Sequence, residues 1–197
     1  MPQETRNRAR MTPRVVLTSA IQSATIAGGD DELITDLWAH ASMVARIARA
    51  LAPAADVDPS EAAAAGLLHD IGELLLLARR PVGYPLVVSR ESSHAEQLAA
   101  EKEAFGIDHA LLGAEHLLDL RLPDVVADAV ADHHDPFRNS ALTTLVVAAA
   151  DEIAEADPDR RHALDLLGVA PDAAAAVRRA AIGDRTIVPM RSARNVA

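Results

Sequence analysis

The stretch 66-GLLHDIGELLLLA-78 sets a histidine and an aspartate, His69 and Asp70, side by side in a helix-forming run that is apolar on almost every side. A helix of that kind is normally buried. An ionised carboxylate cannot be buried alone, so Asp70 must be paired, protonated or coordinating a cation. An isolated pair of this kind would read as a buried His–Asp hydrogen bond. It has company, however. His40 in 37-LWAHAS-42, His109 in 107-IDHALLG-113, His133 and His134 in 131-ADHHDP-136, and Asp151 after 145-LVVAAA-150 all lie in similar Ala-, Leu- and Val-rich segments, each expected to be helical. Ionisable groups entering a core from several helices are most readily accommodated if they meet and share a divalent cation. The chain has no cysteine, so such an ion must be held by imidazole and carboxylate. That donor set suits Zn, Mn or Fe rather than Ca, without distinguishing among the three.

The elements that position these residues follow from composition and punctuation. Half of the 197 residues are hydrophobic but only 2% are aromatic, so the core is built from Ala, Leu, Val and Ile, and the expectation is an all-α fold. Helices are expected over 13–27, ending at Gly28-Gly29, and over 31–52, with Leu33, Leu37, Val44, Ile47 and Leu51 on one face and Pro53 as the stop. The phrase 58-DPSE-61 reads as a capping box opening a helix over 60–79. Further helices are expected over 93–104, 109–120 behind the cap Asp108, 123–134, 141–155 behind the cap Ser140, and 171–183, with 81–93 as a loop. This organisation implies a flexible tail over 1–13, one helical domain over 14–185 and a loose tail over 186–197.

No run approaches the roughly 20 apolar residues of a membrane span, and the expectation is a cytoplasmic protein without membrane contact. The formal charge of −10 argues against a nucleic-acid polymer as partner. Arg6, Arg8, Arg10 and Arg14 are a local exception, read as part of a solubilising tail. Arg46 and Arg49 read as a solvated helix face, with a phosphate contact as the alternative. His94, His116 and His162 have charged neighbours and read as surface histidines.

The order His40, His69-Asp70, Asp151 resembles the H…HD…D signature of the HD superfamily of metal-dependent phosphohydrolases. The phrases 37-LWAHAS-42, 65-AGLLHDIGEL-74, 108-DHALLGAEHLL-118, 122-LPDVVADAVADHH-134 and 149-AADEIA-154 are similar to its HDOD branch over about residues 30–155. The chain looks like the C-terminal half of that domain, as a shortened member or a fragment. The resemblance implies an HD-type helical bundle with a buried metal centre holding one or two divalent ions. His40, His69, Asp70 and Asp151 would hold the first. Asp70 would bridge to a second and take part in activating water, with His109, His133 and His134 completing the pair. Asp36, one turn before His40, and Arg138, just past the histidine pair, are possible additions.

Two ions about 3.5–4 Å apart would promote phosphoester hydrolysis, and the implied substrate is a phosphorylated small molecule or nucleotide. Two departures bear on this. Glu73 stands where the related HD-GYP enzymes have Lys, and would repel a phosphate; and no GYP segment follows His134. The alternatives are a catalytically inactive regulatory module in bacterial signal transduction, bound to a signalling protein, and nucleotide binding without turnover.

Overall fold

The computed structural model describes residues 11–88, 93–138, 141–155 and 162–183. Among these no strand occurs. Helix α1 (Pro13–Ile26) is opened by Thr12, and α2 (Asp31–Leu51) by Asp30, whose carboxylate accepts from the N–H groups of Glu32 and Leu33. Such side chains satisfy backbone donors that a helix start leaves free. After a 3-10 turn over Ala52–Ala55, α3 (Pro59–Leu68) is capped by Asp58 as expected. Glu61 does not fold back to complete the capping box. It accepts instead from Thr143 Oγ1 at 2.8 Å, tying α3 to α9 (Leu142–Glu155).

The remaining helices are α4 (Ile71–Arg79), α5 (Gly83–Val88), α6 (His94–Phe105), α7 (His109–Asp119), α8 (Asp124–Asp132), α10 (His162–Leu166) and α11 (Pro171–Gly183). Helix α2 packs on α3 and α9, α4 packs on α1 and α7, and α7 packs on α8. One apolar cluster gathers Leu17, Leu68, Leu74, Leu77, Leu117 and Val130, and a second gathers Val44, Ile47, Val146, Ala149 and Ile153.

The structure departs from the sequence expectation in four places. The helix expected over 60–79 is broken at its centre: α3 ends at Leu68, α4 starts at Ile71, and Asp70 lies between them at φ −103 and ψ 20. Beside the break, the Gly66 carbonyl accepts from His69 Nδ1 at 2.9 Å. The helix expected over 123–134 stops at Asp132, leaving His133 and His134 in a turn. Pro136 disfavours helical geometry at Asp135 and so limits the run. Within 81–93, expected to be a loop, α5 forms because Pro85 falls in a first turn, where its missing N–H is no loss, and because Tyr84 beside it is fully buried. The short α10 was not foreseen, and Ser140, residues 1–10 and residues 186–197, for which a cap and two tails were expected, lie outside the described residues.

Close approach at the break depends on Gly72. A Cβ there would lie 1.8 Å from the His109 carbonyl oxygen, so α7 can start directly over α4 only if residue 72 is glycine.

Candidate metal centre

Five segments bring seven side chains together. His40 comes from α2, His69 and Asp70 from the α3–α4 break, His109 from the first residue of α7, His133 and His134 from the turn after α8, and Asp151 from α9. On an unbroken helix, neighbouring residues diverge by about 100°. The break removes that divergence, and His69 Nε2 lies 2.9 Å from Asp70 Oδ2.

The two oxygens of Asp70 face different groups. Oδ2 points to the first, where His40 Nε2 is 3.6 Å away, His69 Nε2 and His40 Nε2 are 3.2 Å apart, and Asp151 Oδ1 lies 2.9 Å from His40 and 3.7 Å from His69. Oδ1 points to the second, where His133 Nε2 is 3.2 Å away and His109 Nε2 3.7 Å away, with His134 Nε2 2.9 Å from His109 Nε2.

Three rings are oriented from behind. His69 Nδ1 donates to the Gly66 carbonyl, His133 Nδ1 to the Val130 carbonyl at 2.8 Å, and His109 Nδ1 to Glu101 Oε2 at 2.8 Å. A carbonyl or carboxylate only accepts, so each neutral ring carries its proton on Nδ1 and presents the Nε2 lone pair to the centre. Backing of this kind is typical of histidines that hold metals. His133 Nε2 and His134 Nδ1 are buried without completing a hydrogen bond. Converging lone pairs, two carboxylates and orphaned nitrogens form a donor set that fits divalent transition ions.

The charge balance without an ion is consistent with that fit. Burial works against protonation of His69, but Asp70 and Asp151 overcome it and hold its pKa well above the ordinary range. Burial likewise opposes a charged His40, while its hydrogen bond to Asp151 leaves it raised. Burial would raise Asp70 and Asp151, yet the neighbouring histidines pull both well below the usual carboxylate value. For His133 and His134 burial prevails, and both are lowered. The carboxylates thus draw protons onto nearby imidazoles, where a metal cation could replace that positive charge.

His69, His109, His133 and Asp151 are at most 1% exposed, whereas the His40 and Asp70 side chains are 25% and 15% exposed. The centre is thus open to solvent at His40 and Asp70, and His134 is partly exposed as well. Asp36 is exposed on α2 and belongs to none of the potential ligand groups; Arg138 is 73% exposed and lies 3.7 Å from Asp132. The structure brings neither to the cluster.

Glu73 corrects a sequence inference. It is buried rather than presented to an incoming anion, and its Oε1 accepts from Gln97 Nε2 at 2.8 Å. Gln97 also donates to Glu101 at 3.0 Å, and Tyr84 Oη donates to Glu101 at 3.1 Å. Burial, reinforced by the Asp70 charge, raises the Glu73 pKa. Glu101 is the backing residue that sequence reasoning missed: it accepts from both the N–H and Nδ1 of His109, at 2.7 and 2.8 Å. No spacing rule marks one carboxylate on a charged helix as fully buried. His94, expected at the surface, sits at the rim instead, 4.7 Å from the His134 ring and 2.7 Å from Glu155 Oε1.

An all-helical bundle in which a histidine and an aspartate at a helix break meet further histidines and an aspartate from other helices is an HD-type domain. The family model described as the HDOD domain matches residues 10–136, and the chain belongs to that family. A ribonuclease Y from Thermus thermophilus is 34% identical over 123 residues, which are 62% of this chain and 17% of that protein. The chain thus spans under a fifth of the length of that relative. A crystal structure of a Shewanella amazonensis protein assigned as a phosphohydrolase aligns with a TM-score of 0.61 at 20% identity, over 89% of this chain and 84% of that one. An HDOD domain protein of unknown function from Geobacter sulfurreducens aligns with a TM-score of 0.60 at 24% identity, over 87% and 61%. No helix among the described residues is long and apolar enough to cross a membrane.

Proposed function

We propose that the seven-residue centre holds one or two divalent transition ions and that the domain hydrolyses a phosphoester, with a phosphorylated small molecule or nucleotide as substrate. The observation that carries this reading is the division of Asp70: Oδ2 toward His40 and His69, which also face Asp151, and Oδ1 toward His109 and His133. Bound ions would supply Lewis acidity, activating water and neutralising charge on the ester. The chain's own residues orient and exclude. Gly66, Val130 and Glu101 hold three rings with Nε2 inward, and the buried histidines close the floor against bulk water. Asp70 and His40, on the open side, are the groups an ester would meet first.

The likeness to a protein named ribonuclease Y adds RNA phosphodiesters to the substrates worth assaying, although the net charge of −10 weighs against a long polyanion. The test is metal analysis of the purified chain, then hydrolysis of bis-p-nitrophenyl phosphate, nucleotides and an RNA oligomer with Mn, Fe or Zn. Stoichiometric metal with hydrolysis lost in Asp70→Asn is expected. A chain that takes up no metal on titration would overturn the reading.

A second reading is favoured by one observation: the centre can close on itself without an ion, through His40–Asp151 and His69–Asp70 contacts of 2.9 Å each. In that case the bundle is a regulatory module that binds a signalling protein. A folded chain that takes up no metal and turns over no ester would support it.

A further inference from the structure

Away from the metal centre, α1, α2 and α3 border an open cleft of about 340 Å³. None of the seven cluster residues lines it. Arg14 from α1 and Arg46 and Arg49 from α2 border it, an accumulation of positive charge on a chain whose formal charge is −10. Among the described residues, no ion pair engages any of these arginines. Glu61, the carboxylate next to the lining residue Ser60, accepts from Thr143 Oγ1 at 2.8 Å, and Asp58 is committed to the N–H groups of Ser60 and Glu61 at 2.8 and 2.9 Å.

Two residues lining the cleft carry buried atoms without partners. Ser42 is 3% exposed, and its Oγ has no hydrogen-bond partner; Arg46 Nε is buried and likewise unpaired. A serine within a helix normally returns its hydroxyl to the carbonyl one turn earlier. Ser42 does not, although an unsatisfied buried hydroxyl costs stability. Ala45, Ala63, Ala64 and Leu67 supply an apolar wall beside these polar groups. A cleft of this volume falls at the small end of ligand sites, about 300–1,000 Å³. Guanidinium forks match the oxygens of a phosphate.

We propose that the cleft between α1, α2 and α3 is a second site, separate from the metal centre, that binds a small organic phosphate. Arg14, Arg46 and Arg49 take the phosphate, Ser42 Oγ and Arg46 Nε gain their missing partners from the ligand, and the Ala63–Leu67 wall takes its apolar body. The site does not depend on metal or turnover at the other centre.

The test is calorimetric titration of the full chain, with and without Mn, using AMP, inorganic phosphate and a single-stranded RNA oligomer as probes. Saturable AMP binding is expected in both states and in Asp70→Asn. Arg49→Ala and Arg46→Lys should each weaken it about tenfold or more, the loss expected for a charge-assisted contact, while metal content stays unchanged. Ser42→Ala should weaken AMP binding without lowering Tm, a combination that a purely structural serine would not give. Inorganic phosphate should compete with AMP at higher concentration. The proposal is overturned if AMP does not bind, if binding vanishes in Asp70→Asn yet persists in Arg49→Ala, if phosphate does not compete, or if the arginine variants affect only a single-stranded RNA oligomer.

Discussion

Glu101 decides how His109 meets the centre. Burial alone would keep that imidazole neutral, but the Glu101 hydrogen bond, helped by the charges of Glu73 and Asp70, brings its pKa from 6.5 to about 9. Glu101→Gln should therefore return the His109 pKa toward its ordinary value, read by NMR titration of the metal-free protein. The same variant should weaken metal binding by about 10–100-fold, the usual cost of losing a group that orients a ligand. A variant with unchanged affinity would mean that His109 is not a ligand. The raised pKa also sets a pH dependence. In the metal-free protein the His109–Glu101 pair contributes its full stability below the unfolded value of 6.5, and that contribution fades as pH rises through about 9. Metal uptake runs the other way, because a ligand must shed its proton to bind. Mn affinity should thus strengthen from pH 6.5 toward 9 with proton release on binding, and a flat calorimetric profile would count against the assignment.

At the scale of elements, the break between α3 and α4 positions the adjacent His69 and Asp70, and its geometry depends on how closely α7 lies over α4. Gly72→Ala would drive a Cβ to 1.8 Å from the His109 carbonyl oxygen, a contact with backbone that no rotamer relieves. The expected loss is about 3 kcal/mol in urea unfolding, accompanied by weaker metal binding because His109 is displaced. Asp58→Ala provides the contrast. It removes a cap from α3 at the far end from His69 and should cost about 1 kcal/mol, leaving metal content intact. If both variants lost metal equally, global stability rather than local geometry would control the centre.

For the whole molecule, the centre links helices that are far apart in sequence: α2, α7 and α9 each contribute a ligand candidate. An ion held jointly by them binds the folded state and not the unfolded chain. Metal at about 100 times its dissociation constant should then add about 2.7 kcal/mol of stability, read as a rise in Tm that EDTA reverses. A Tm indifferent to Mn, Fe and Zn would leave only the closed, metal-free arrangement.

The sequence alone determined the all-helical class, most helix boundaries and the residues His40, His69, Asp70, His109, His133, His134 and Asp151 as a set, because buried ionisable groups in apolar helices stand out from their neighbours. Helix 171–183 and the Asp58 and Asp108 caps were legible for a similar reason: local hydrogen bonding and φ preferences act within a few residues. Only the tertiary structure decided the rest. The helix break at His69-Asp70, the turn that carries His133 and His134, the burial of Glu73 and Glu101, and the rim position of His94 all depend on partners distant in the chain. The division of Asp70 between two groups belongs with them, since which oxygen faces which histidine is a matter of how helices pack, and no local pattern encodes it.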